Sequence, residues 1–421
     1  MSYSAVVARV NVRPHPNADR LQIGNVNGIQ VIVGIDTQDN EIGVYFPSDG
    51  QLSEEFCAAN DLIRRKNEDG TYSGGMFDVN RRVRAMNLRG VKSDGFWCPL
   101  DYFNFSAVSA SMLKEGDSFT EINGIPICNK YVTPQTARAI ANRNANTIRK
   151  SVDFVFPEHV DTEQYQYVKD SIPSGAVIHI TEKLHGTSGR YGNVRVTRKV
   201  TTWREKVAQF ILSKLIPSYT FDLFNYEHRI GTRRTVLQEN GTGFYGDESF
   251  RRNAVNGIAL KPDEMIYFEL VGFTTTGASI MANHDTTKLP KEYVTRYGKV
   301  TAYTYGCAPG ECKLFVYRIT QNGVELSHNQ MIARCNELGL NHVPILDTIV
   351  YDGDIETLDM IVETHMNDCS MLDNRHIREG IVLRVESEHG TQFIKSKSWP
   401  FKLMEGIIKD SDSYIDREEI A

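Results

Sequence analysis

One short stretch constrains the fold of this chain more than any other. Val177-Ile-His-Ile-Thr-Glu-Lys183-Leu-His-Gly186 begins with alternating, largely β-branched residues, which is typical of a β-strand. The strand ends at a lysine, and Gly186 follows three residues later. A glycine lets the backbone turn sharply and pack closely, because it has no Cβ. The stretch therefore predicts a strand whose last side chain, Lys183, faces a pocket.

Length and composition limit the architecture. The chain has 421 residues, which predicts two or three domains, and its 41% hydrophobic content suffices for buried cores. The net charge of −6 predicts that any nucleic-acid site is a local basic patch. Seven scattered cysteines favour a reducing compartment. Since no apolar run or signal-peptide pattern is found, we expect a cytoplasmic protein without membrane contact, in the host cytoplasm if the source is a virus.

Residues 1–130 predict a small β-barrel. Short strand-like runs such as Ala5-Val-Val-Ala-Arg-Val10 and Gln30-Val-Ile-Val-Gly34 are separated by turn signals. Two further segments, His15-Pro-Asn-Ala-Asp-Arg-Leu21 and Leu88-Arg-Gly-Val-Lys-Ser-Asp-Gly95, resemble the tRNA-binding type of OB-fold. We therefore expect a nucleic-acid-binding OB-fold domain over this first part.

A basic run without an acidic residue lies near the end of this first part. Its members are Arg81, Arg82, Arg84, Arg89 and Lys92. Two interpretations are open at this point. The run is either a solvated strand face or a groove that contacts RNA phosphates, as OB-folds commonly provide.

Residues 131–155 predict a basic helical linker. Thr133-Pro is a typical helix start, and basic residues follow at intervals. They are Arg138, Arg143, Arg149 and Lys150. Phe156-Pro breaks the helical pattern, so a second domain is expected over residues 156–421.

A long insert between Arg190 and Gly231 carries a second helical pattern. Five apolar residues of this pattern fall on one helical face: Trp203, Val207, Phe210, Ile211 and Leu215. We expect this face to pack on a sheet, with membrane contact as the alternative.

Two strands further along carry polar or aromatic residues in apolar surroundings. Glu269 lies inside an apolar strand, where a carboxylate needs a partner such as a ribose hydroxyl, a metal or an arginine. Phe315 and Tyr317 are two residues apart and share a strand face. Either ring belongs to the core or stacks on a purine. Arg233 and Arg234 precede these strands and are either an exposed charge cluster or a clamp for phosphate or ribose.

The last strands are rich in charge. Glu379-Gly380 opens an apolar strand and suits a hydrated divalent cation near phosphates, or else is a solvated strand end. Lys395 and Lys397 alternate along the next strand, so their side chains project to the same face. Two like charges this close require solvent or an anion between them.

In their order, these segments resemble the covalent nucleotidyltransferase superfamily of RNA ligases, DNA ligases and mRNA-capping enzymes. The six motifs are Lys183-x-x-Gly186, Gly231-Thr-Arg-Arg234, Phe268-Glu269, Phe315-Val-Tyr317, Glu379-Gly380 and Lys395-x-Lys397. DNA ligases and capping enzymes carry an OB-fold after the last motif, whereas the OB-like segment comes first here. That order resembles the fifth family of ATP-dependent RNA ligases. The resemblance implies an α+β fold, with an N-terminal OB-fold β-barrel before an ATP-grasp-like nucleotidyltransferase domain of antiparallel sheets with flanking helices.

The resemblance also implies a reaction. Lys183 would attack the α-phosphorus of ATP and form a lysyl-AMP with loss of pyrophosphate. The AMP would then pass to an RNA 5′-phosphate. A 3′-OH would then seal the strand and release AMP. Attack requires an unprotonated Lys183, and nearby positive charge would lower the pKa of this lysine. ATP and Mg²⁺ or Mn²⁺ are the implied cofactors.

Site residues follow from the same resemblance. The implied catalytic residues are Lys183, Lys395 and Lys397. The implied ATP-binding residues are Glu182, Lys183, Gly186, Arg190, Arg233, Glu269, Phe315, Glu379, Lys395 and Lys397, with Glu379 and Glu269 near the metal. The implied RNA-binding residues are Arg81, Arg82, Arg84, Arg89 and Lys92.

The expected partner is RNA with 3′-OH and 5′-phosphate ends, at a nick in a duplex, bound by a monomer. Two alternatives stay open. A DNA ligase would seal a nick whose 3′-OH strand is DNA. A non-enzymatic RNA-binding protein would use the OB-like segment alone, but it leaves the six ordered motifs unexplained.

Overall fold

The computed structural model of the protein describes residues 3–106, 112–146, 155–160, 162–198, 200–215, 223–237, 245–287 and 289–409. Its strands and helices form a mixed α+β architecture, as predicted. Named strands within the described residues pair antiparallel, except for two short parallel pairs. Within these ranges, no helix has the length and apolar character needed to cross a bilayer.

The first part of the chain is mostly β-structure. Its strands are β1 (Ala5–Pro14), β2 (Leu21–Val26), β3 (Ile29–Gly34), β4 (Glu41–Phe46), β5 (Gly50–Leu52), β6 (Arg64–Lys66), β7 (Tyr72–Gly74), β8 (Arg82–Val83), β9 (Ala85–Leu88), β10 (Val91–Asp94), β11 (Phe96–Pro99), β12 (Ser118–Phe119), β13 (Glu121–Ile122), β14 (Ile125–Pro126) and β15 (Cys128–Lys130). Helix α1 (Glu54–Ala59) and the 3-10 turn Leu100–Ser106 lie among them.

The second part alternates strands with helices. Its strands are β16 (Glu163–Gln164), β17 (Val177–Lys183), β18 (Thr187–Arg198), β19 (Leu223–Thr232), β20 (Glu264–Gly272), β21 (His284–Asp285), β22 (Val300–Thr301), β23 (Cys312–Gln321), β24 (Val324–Glu325), β25 (Asn341–His342), β26 (Ile345–Val350), β27 (Gly380–Ser387) and β28 (Gly390–Lys397). The helices are α2 (Pro134–Asn146), α3 (Tyr165–Val168), α4 (Trp203–Leu215), α5 (Ser249–Val255), α6 (Lys291–Tyr297), α7 (His328–Leu338), α8 (Ile355–Met366) and α9 (Trp399–Lys409).

The N-terminal sheet is strongly curved. Its strand order is β11-β4-β1-β2-β3, with β12 beside β1. The first half of β1 pairs with β4 and its second half, from Asn11, pairs with β2. The amide of Ile32 in β3 donates to Ser93 Oγ of β10 at 3.0 Å, so the separate hairpin β9–β10 lies against the β3 edge of this sheet. Phe46, Phe56 and Phe103 pack in the core that this curvature encloses.

Two sheets build the second part, and the stretch 177–190 joins them. One sheet has the order β16-β28-β27-β17-β26, and the other has the order β19-β18-β20-β23-β24. Since β17 belongs to the first and β18 to the second, residues 184–186 carry the chain from one sheet to the other. The interior of β17 is buried and its end residue Lys183 is partly exposed, which confirms the predicted strand and its end.

Helix α2 begins where the sequence predicts it. Thr133 Oγ1 accepts a hydrogen bond from the amide of Thr136 at 3.2 Å, which caps the helix start. The side chain of Arg143, and Arg149 and Lys150 as a whole, lie outside the described residues. The domain limits at residues 130 and 156 remain a prediction.

Helix α4 differs from the expectation that its apolar face packs on a sheet. Trp203, Val207, Phe210 and Ile211 are all exposed. The physical reason lies in the strands that carry the helix. β18 pairs with β19 up to Arg198, but its pairing with β20 stops at Asn193. The two strands therefore extend past the neighbouring strand β20, and the helix lies at their far end.

We predict that Gly380→Ala destabilises the fold. A Cβ at residue 380 would lie 2.1 Å from Ser396 O, a backbone atom of the paired strand β28. Forcing atoms into such a packed position costs about 1–3 kcal/mol. Urea unfolding should reveal this loss. Gly34→Ala is the matched control, since a Cβ there meets no atom within 4 Å. Equal stability of the two variants would contradict the close strand approach.

Candidate active site

Strand register sets two lysines opposite each other. Lys183 of β17 pairs with Gly380 of β27, and Gly380 pairs in turn with Lys397 of β28. Residues directly opposite in neighbouring strands point to the same face of the sheet. Because Gly380 has no side chain, nothing from β27 separates the two lysines in this row.

A buried carboxylate connects these lysines. Glu379 has no exposed surface, and its Oε1 lies 2.6 Å from Lys183 Nζ and 3.7 Å from Lys397 Nζ. His185 Nδ1 lies 3.4 Å from the other oxygen. Lys397 also contacts Glu405 of α9 at 3.0 Å. A carboxylate is stable in the interior only when such partners compensate its charge.

Gly186 determines how closely the two sheets meet. A Cβ at this position would lie 2.3 Å from Leu270 O and 3.0 Å from Glu269 Cγ. The glycine therefore lets the turn after Lys183 rest directly on β20. Two residues later, Ser188 pairs with Glu269 and donates a hydrogen bond from its Oγ to Glu269 Oε2 at 2.8 Å.

A cavity of about 330 Å³ opens beside Lys183, and we call it the cleft. From the second part it is lined by Lys183, Arg233, Glu269, Tyr317, Lys395 and Lys397, among others. Lys395 and Lys397 thus face the same space, as their spacing predicts. Tyr3, Asp49, Arg84 and Lys130 from the first part of the chain also line it. The cleft is therefore bounded by both parts of the protein.

Direct contacts hold the first part against α9. Lys402 Nζ lies 2.6 Å from Asp94 Oδ2, and Arg82 donates to Gly406 O at 2.7 Å. Arg82 also stacks on the ring of Tyr131 at 4.9 Å. These contacts hold the first part of the chain where its residues can reach the cleft.

The aromatic strand β23 brings Tyr317 to the cleft and leaves Phe315 in the core. Phe315 is buried in a hydrophobic cluster with Leu184 and Val271, and Tyr317 packs against the same cluster. The two rings therefore share a side of the sheet, as predicted. The register between β20 and β23 shifts at this point, because Phe268 pairs with Val316 but Tyr267 pairs with Arg318. This bulge leaves residue 317 as the extra residue, and bulges commonly redirect a side chain.

His159 is a cleft residue that the sequence analysis missed. Its ring lies 5.0 Å from Tyr317, 5.3 Å from Phe393 and 5.7 Å from Tyr267. Burial, reinforced by Arg318, Arg233 and Lys395, lowers the pKa of His159 to about 3. The ring is therefore neutral at physiological pH. No motif marks it in the sequence, because it follows the predicted linker in an irregular segment.

Two of the predicted nucleotide-binding residues, Arg190 and Glu182, make contacts with other residues of the protein. Arg190 is buried, with its guanidinium 4.8 Å above the ring of Phe156, and it does not line the cleft. Arg233 does line it. Glu182 borders the cleft, but its carboxylate accepts a hydrogen bond from the amide of Met371 at 2.8 Å. Burial raises the pKa of Glu182.

The five predicted RNA-binding residues do not form one continuous groove. Arg81 donates to Leu52 O at 3.1 Å, and Arg82 is buried in the contact with α9. Arg84 lines the cleft and lies 3.4 Å from Asp78. Arg89 is exposed at the β9–β10 turn, and Lys92 lies 3.3 Å from Glu363. Arg81 and Arg89 both have positive φ, so the backbone turns sharply at each of them.

The two predicted metal ligands come from different sheets. Glu379 is already surrounded by Lys183, Lys397 and His185, and Glu269 is bonded to Ser188. Within the described ranges, no group of three or more His, Cys, Asp or Glu side chains is arranged to hold a metal ion. A divalent ion at this site would therefore need phosphate and water oxygens as most of its ligands, as Mg²⁺ commonly has.

Comparisons with known proteins agree with this arrangement. The family model described as RNA ligase matches residues 176–403, which include all six motifs from Lys183-x-x-Gly186 to Lys395-x-Lys397. Among curated proteins, no match was found.

Solved structures of the Naegleria gruberi RNA ligase share the fold along nearly the whole chain. A mutant in its apo form has a TM-score of 0.57 and 17% identity, and the match covers 96% of this chain and 98% of that one. The ligase with pyrophosphate gives a TM-score of 0.56 and 18% identity, with 94% and 96% covered. A mutant with ATP and manganese gives a TM-score of 0.56 and 17% identity, with 94% and 96% covered.

Proposed function

The chain belongs to the RNA ligase family, and from this premise we propose that it joins an RNA 3′-OH to a 5′-phosphate by way of a lysyl-AMP on Lys183. The observation that carries the proposal is the group of three basic side chains at one cleft. Lys183 lies in register with Lys397, and Lys395 lines the same cavity. A lysine nucleophile beside two further cations suits attack on a phosphate that accumulates negative charge.

Glu379 and Lys397 act on Lys183 in opposite directions. The carboxylate 2.6 Å from Lys183 Nζ favours the protonated amine, whereas the positive charge of Lys397 opposes it. Attack requires the free lone pair of Nζ. The proton therefore leaves Lys183 most readily when the charge of Glu379 is compensated by other groups, such as Lys397 and a cation.

ATP and a divalent ion are the proposed cofactors. Structures of the Naegleria gruberi ligase with ATP and manganese, and with pyrophosphate, support this choice. Glu379 and Glu269 would hold the ion through water or beside phosphate oxygens. When bound, the ion would neutralise charge on the transferring phosphate.

The remaining cleft residues suit a nucleoside. We assign the adenine to the ring of Tyr317, because this ring borders the cleft while Phe315 is in the core. Glu269 lies on the same sheet face and would accept a hydrogen bond from a ribose hydroxyl. Arg233, Lys395 and Lys397 would contact phosphates.

The N-terminal part would hold the RNA. Its curved sheet is consistent with the OB-fold proposed for residues 1–130, joined by the linker at 131–155 to a nucleotidyltransferase domain at 156–421. Arg84 and Lys130 reach the cleft that contains Lys183. An OB-fold that precedes this domain also supports placement in the fifth RNA ligase family, with a nick in a duplex as the proposed substrate.

We expect α-³²P-labelled ATP with Mg²⁺ or Mn²⁺ to label the protein covalently, and Lys183→Ala to abolish the label. Lys183→Arg should also be inactive, because a guanidinium keeps the charge but is a poor nucleophile. Gel electrophoresis of the denatured protein measures the label. Lys291→Ala, on the exposed start of α6, is the control and should be labelled normally. Labelling with GTP and not ATP would contradict the proposal and favour a capping guanylyltransferase.

We expect Tyr317→Ala to raise the KM for ATP in self-labelling about 10-fold, since a stacked base contributes roughly 1–3 kcal/mol. Tyr317→Phe keeps the ring and should retain the normal KM. Phe315→Leu is the matched comparison: it should lower stability but leave the KM unchanged. The adenine assignment fails if Phe315→Leu raises the KM while Tyr317→Ala does not.

A further inference from the structure

The strands β18 and β19 form an arm that extends from the cleft. We define the arm as residues 191–198, 200–215 and 223–230, which comprise the outer parts of both strands and α4. At its base, Arg190 pairs with Gly231, close to the cleft residue Arg233. Past Asn193, β18 pairs with β19 alone, and this two-stranded section continues to Arg198. At 3.3 Å per residue, Arg198 lies about 26 Å along the strand from Arg190.

Aromatic rings are exposed along this arm. Trp203 and Phe210 of α4 are 70% and 65% exposed, and Phe224 and Tyr226 of β19 are 46% and 38% exposed. Exposed rings of this size in one segment are unusual unless they contact a partner.

Basic side chains accompany these rings. Arg195 lies 4.5 Å from the ring centre of Phe224 and 5.9 Å from that of Tyr226. On α4, Arg204 lies 5.8 Å from the ring of Trp203, and Lys214 lies 5.8 Å from that of Phe210. Rings paired with cations are the surface on which single-stranded nucleic acid stacks and has its phosphates neutralised.

The charge of the arm is opposite to that of the whole chain. Its described residues contain six Lys and Arg against two Asp and Glu, a net charge of +4, whereas the complete chain has −6. Glu205 pairs with Arg198 at 2.6 Å, which fixes the start of α4 to the end of β18. Arg195 pairs with Asp263 outside the arm. Arg204, Lys206 and Lys214 form no ion pair with any residue that the structure describes. Their charges are therefore available to an anionic partner.

We propose that this arm is a second RNA-contact surface, on which single-stranded RNA that flanks the paired ends to be joined stacks its bases and places its phosphates. The inference rests on the proposed function, because it assumes that RNA ends lie at the cleft. It places the contact on the order of eight nucleotides from the joining point, at about 3.4 Å per nucleotide over the length of the arm.

RNA fits the arm better than an anionic membrane does. A helix that lies on a membrane presents an uninterrupted apolar face. At about 100° per residue, Lys214 falls between Trp203 and Val207, so a cation interrupts that face. The strand section exposes Phe224 and Tyr226 beside Arg195, and rings of this kind stack on bases.

Two double variants test the proposal. Trp203→Ala with Phe210→Ala removes rings, and Lys206→Ala with Lys214→Ala removes charges, all at exposed positions of α4. Lys291→Ala with Lys299→Ala is the matched control, since both lysines are exposed outside the arm. Fluorescence anisotropy would measure affinity for a nicked RNA duplex whose flanks of about 8 base pairs continue into single-stranded tails, and for the same duplex without tails.

We expect the ring variant to lose about 10-fold in affinity for the tailed duplex and little for the duplex without tails. The charge variant should lower the slope of log affinity against log salt by about 2, as two phosphate contacts are lost. The control should match the native protein. Self-labelling with ATP should stay native in all variants, because none touches the cleft. If the unmodified protein does not label itself with ATP, that result counts against the proposed function and not against the arm.

Three outcomes would overturn the inference. One is native affinity of both arm variants for the tailed duplex. Another is an equal loss on the duplexes with and without tails, because the arm would then not contact the single-stranded RNA. The third outcome is that the native protein floats with phosphatidylserine vesicles, whereas the arm variants do not float and bind RNA as tightly as the native protein. That result would assign the arm to a membrane.

Discussion

The arrangement of this protein depends on one buried carboxylate, that of Glu379. It has no exposed surface, and Lys183 and Lys397 contact it from the two strands that flank β27. A charge in the interior is tolerated only with partners of this kind, and loss of one partner leaves an uncompensated charge. A slip of one residue in either strand pairing would turn a lysine to the opposite face of the sheet. The carboxylate therefore favours the one register in which both lysines reach the cleft.

Close backbone contact at two glycines brings the other residues to this group. Gly186 rests against β20, which places Ser188 opposite Glu269, and Gly380 rests against β28 between the two lysines. Lys183 of one sheet and Glu269 of the other are thus brought to the same cleft by a turn of three residues. The same turn explains the spacing of the Lys-x-x-Gly motif. The three residues after Lys183 are the ones that carry the chain from one sheet to the other.

Much of this was predictable from the sequence, because strands have a period of two and motifs have an order. The alternation in β17 predicted a strand that ends at Lys183, and the spacing of Lys395 and Lys397 predicted a shared face; both are confirmed. The six ordered motifs predicted the RNA ligase family, which the family match confirms. The strand pairing that aligns Lys183 with Lys397 was not predictable, since it requires β17 to pair with β27, whose residues lie more than 190 positions later in the sequence.

Other features depend on tertiary contacts that leave no local pattern. Tyr317, rather than Phe315, borders the cleft. The accompanying bulge is a feature of the pairing of β23 with β20, which the sequence of β23 alone does not reveal. Arg82 was read as part of a basic groove, but α9 buries it. His159 belongs to no sequence motif, and its ring is positioned by packing against three aromatic rings from other strands. The apolar face of α4 indicated packing on a sheet, whereas the sheet ends before the helix begins.

The most direct measurement of the central claim is transfer of AMP from the isolated protein. The protein would first be labelled with ATP, freed of nucleotide, and then mixed with a duplex that carries a nick with an RNA 3′-OH and a 5′-phosphate. The account predicts that the label leaves the protein and is released as AMP as the RNA strand is sealed, with at most one strand sealed per AMP bound. Label that stays on the protein in the presence of nicked RNA, or that leaves only with a DNA 3′-OH strand, would contradict it.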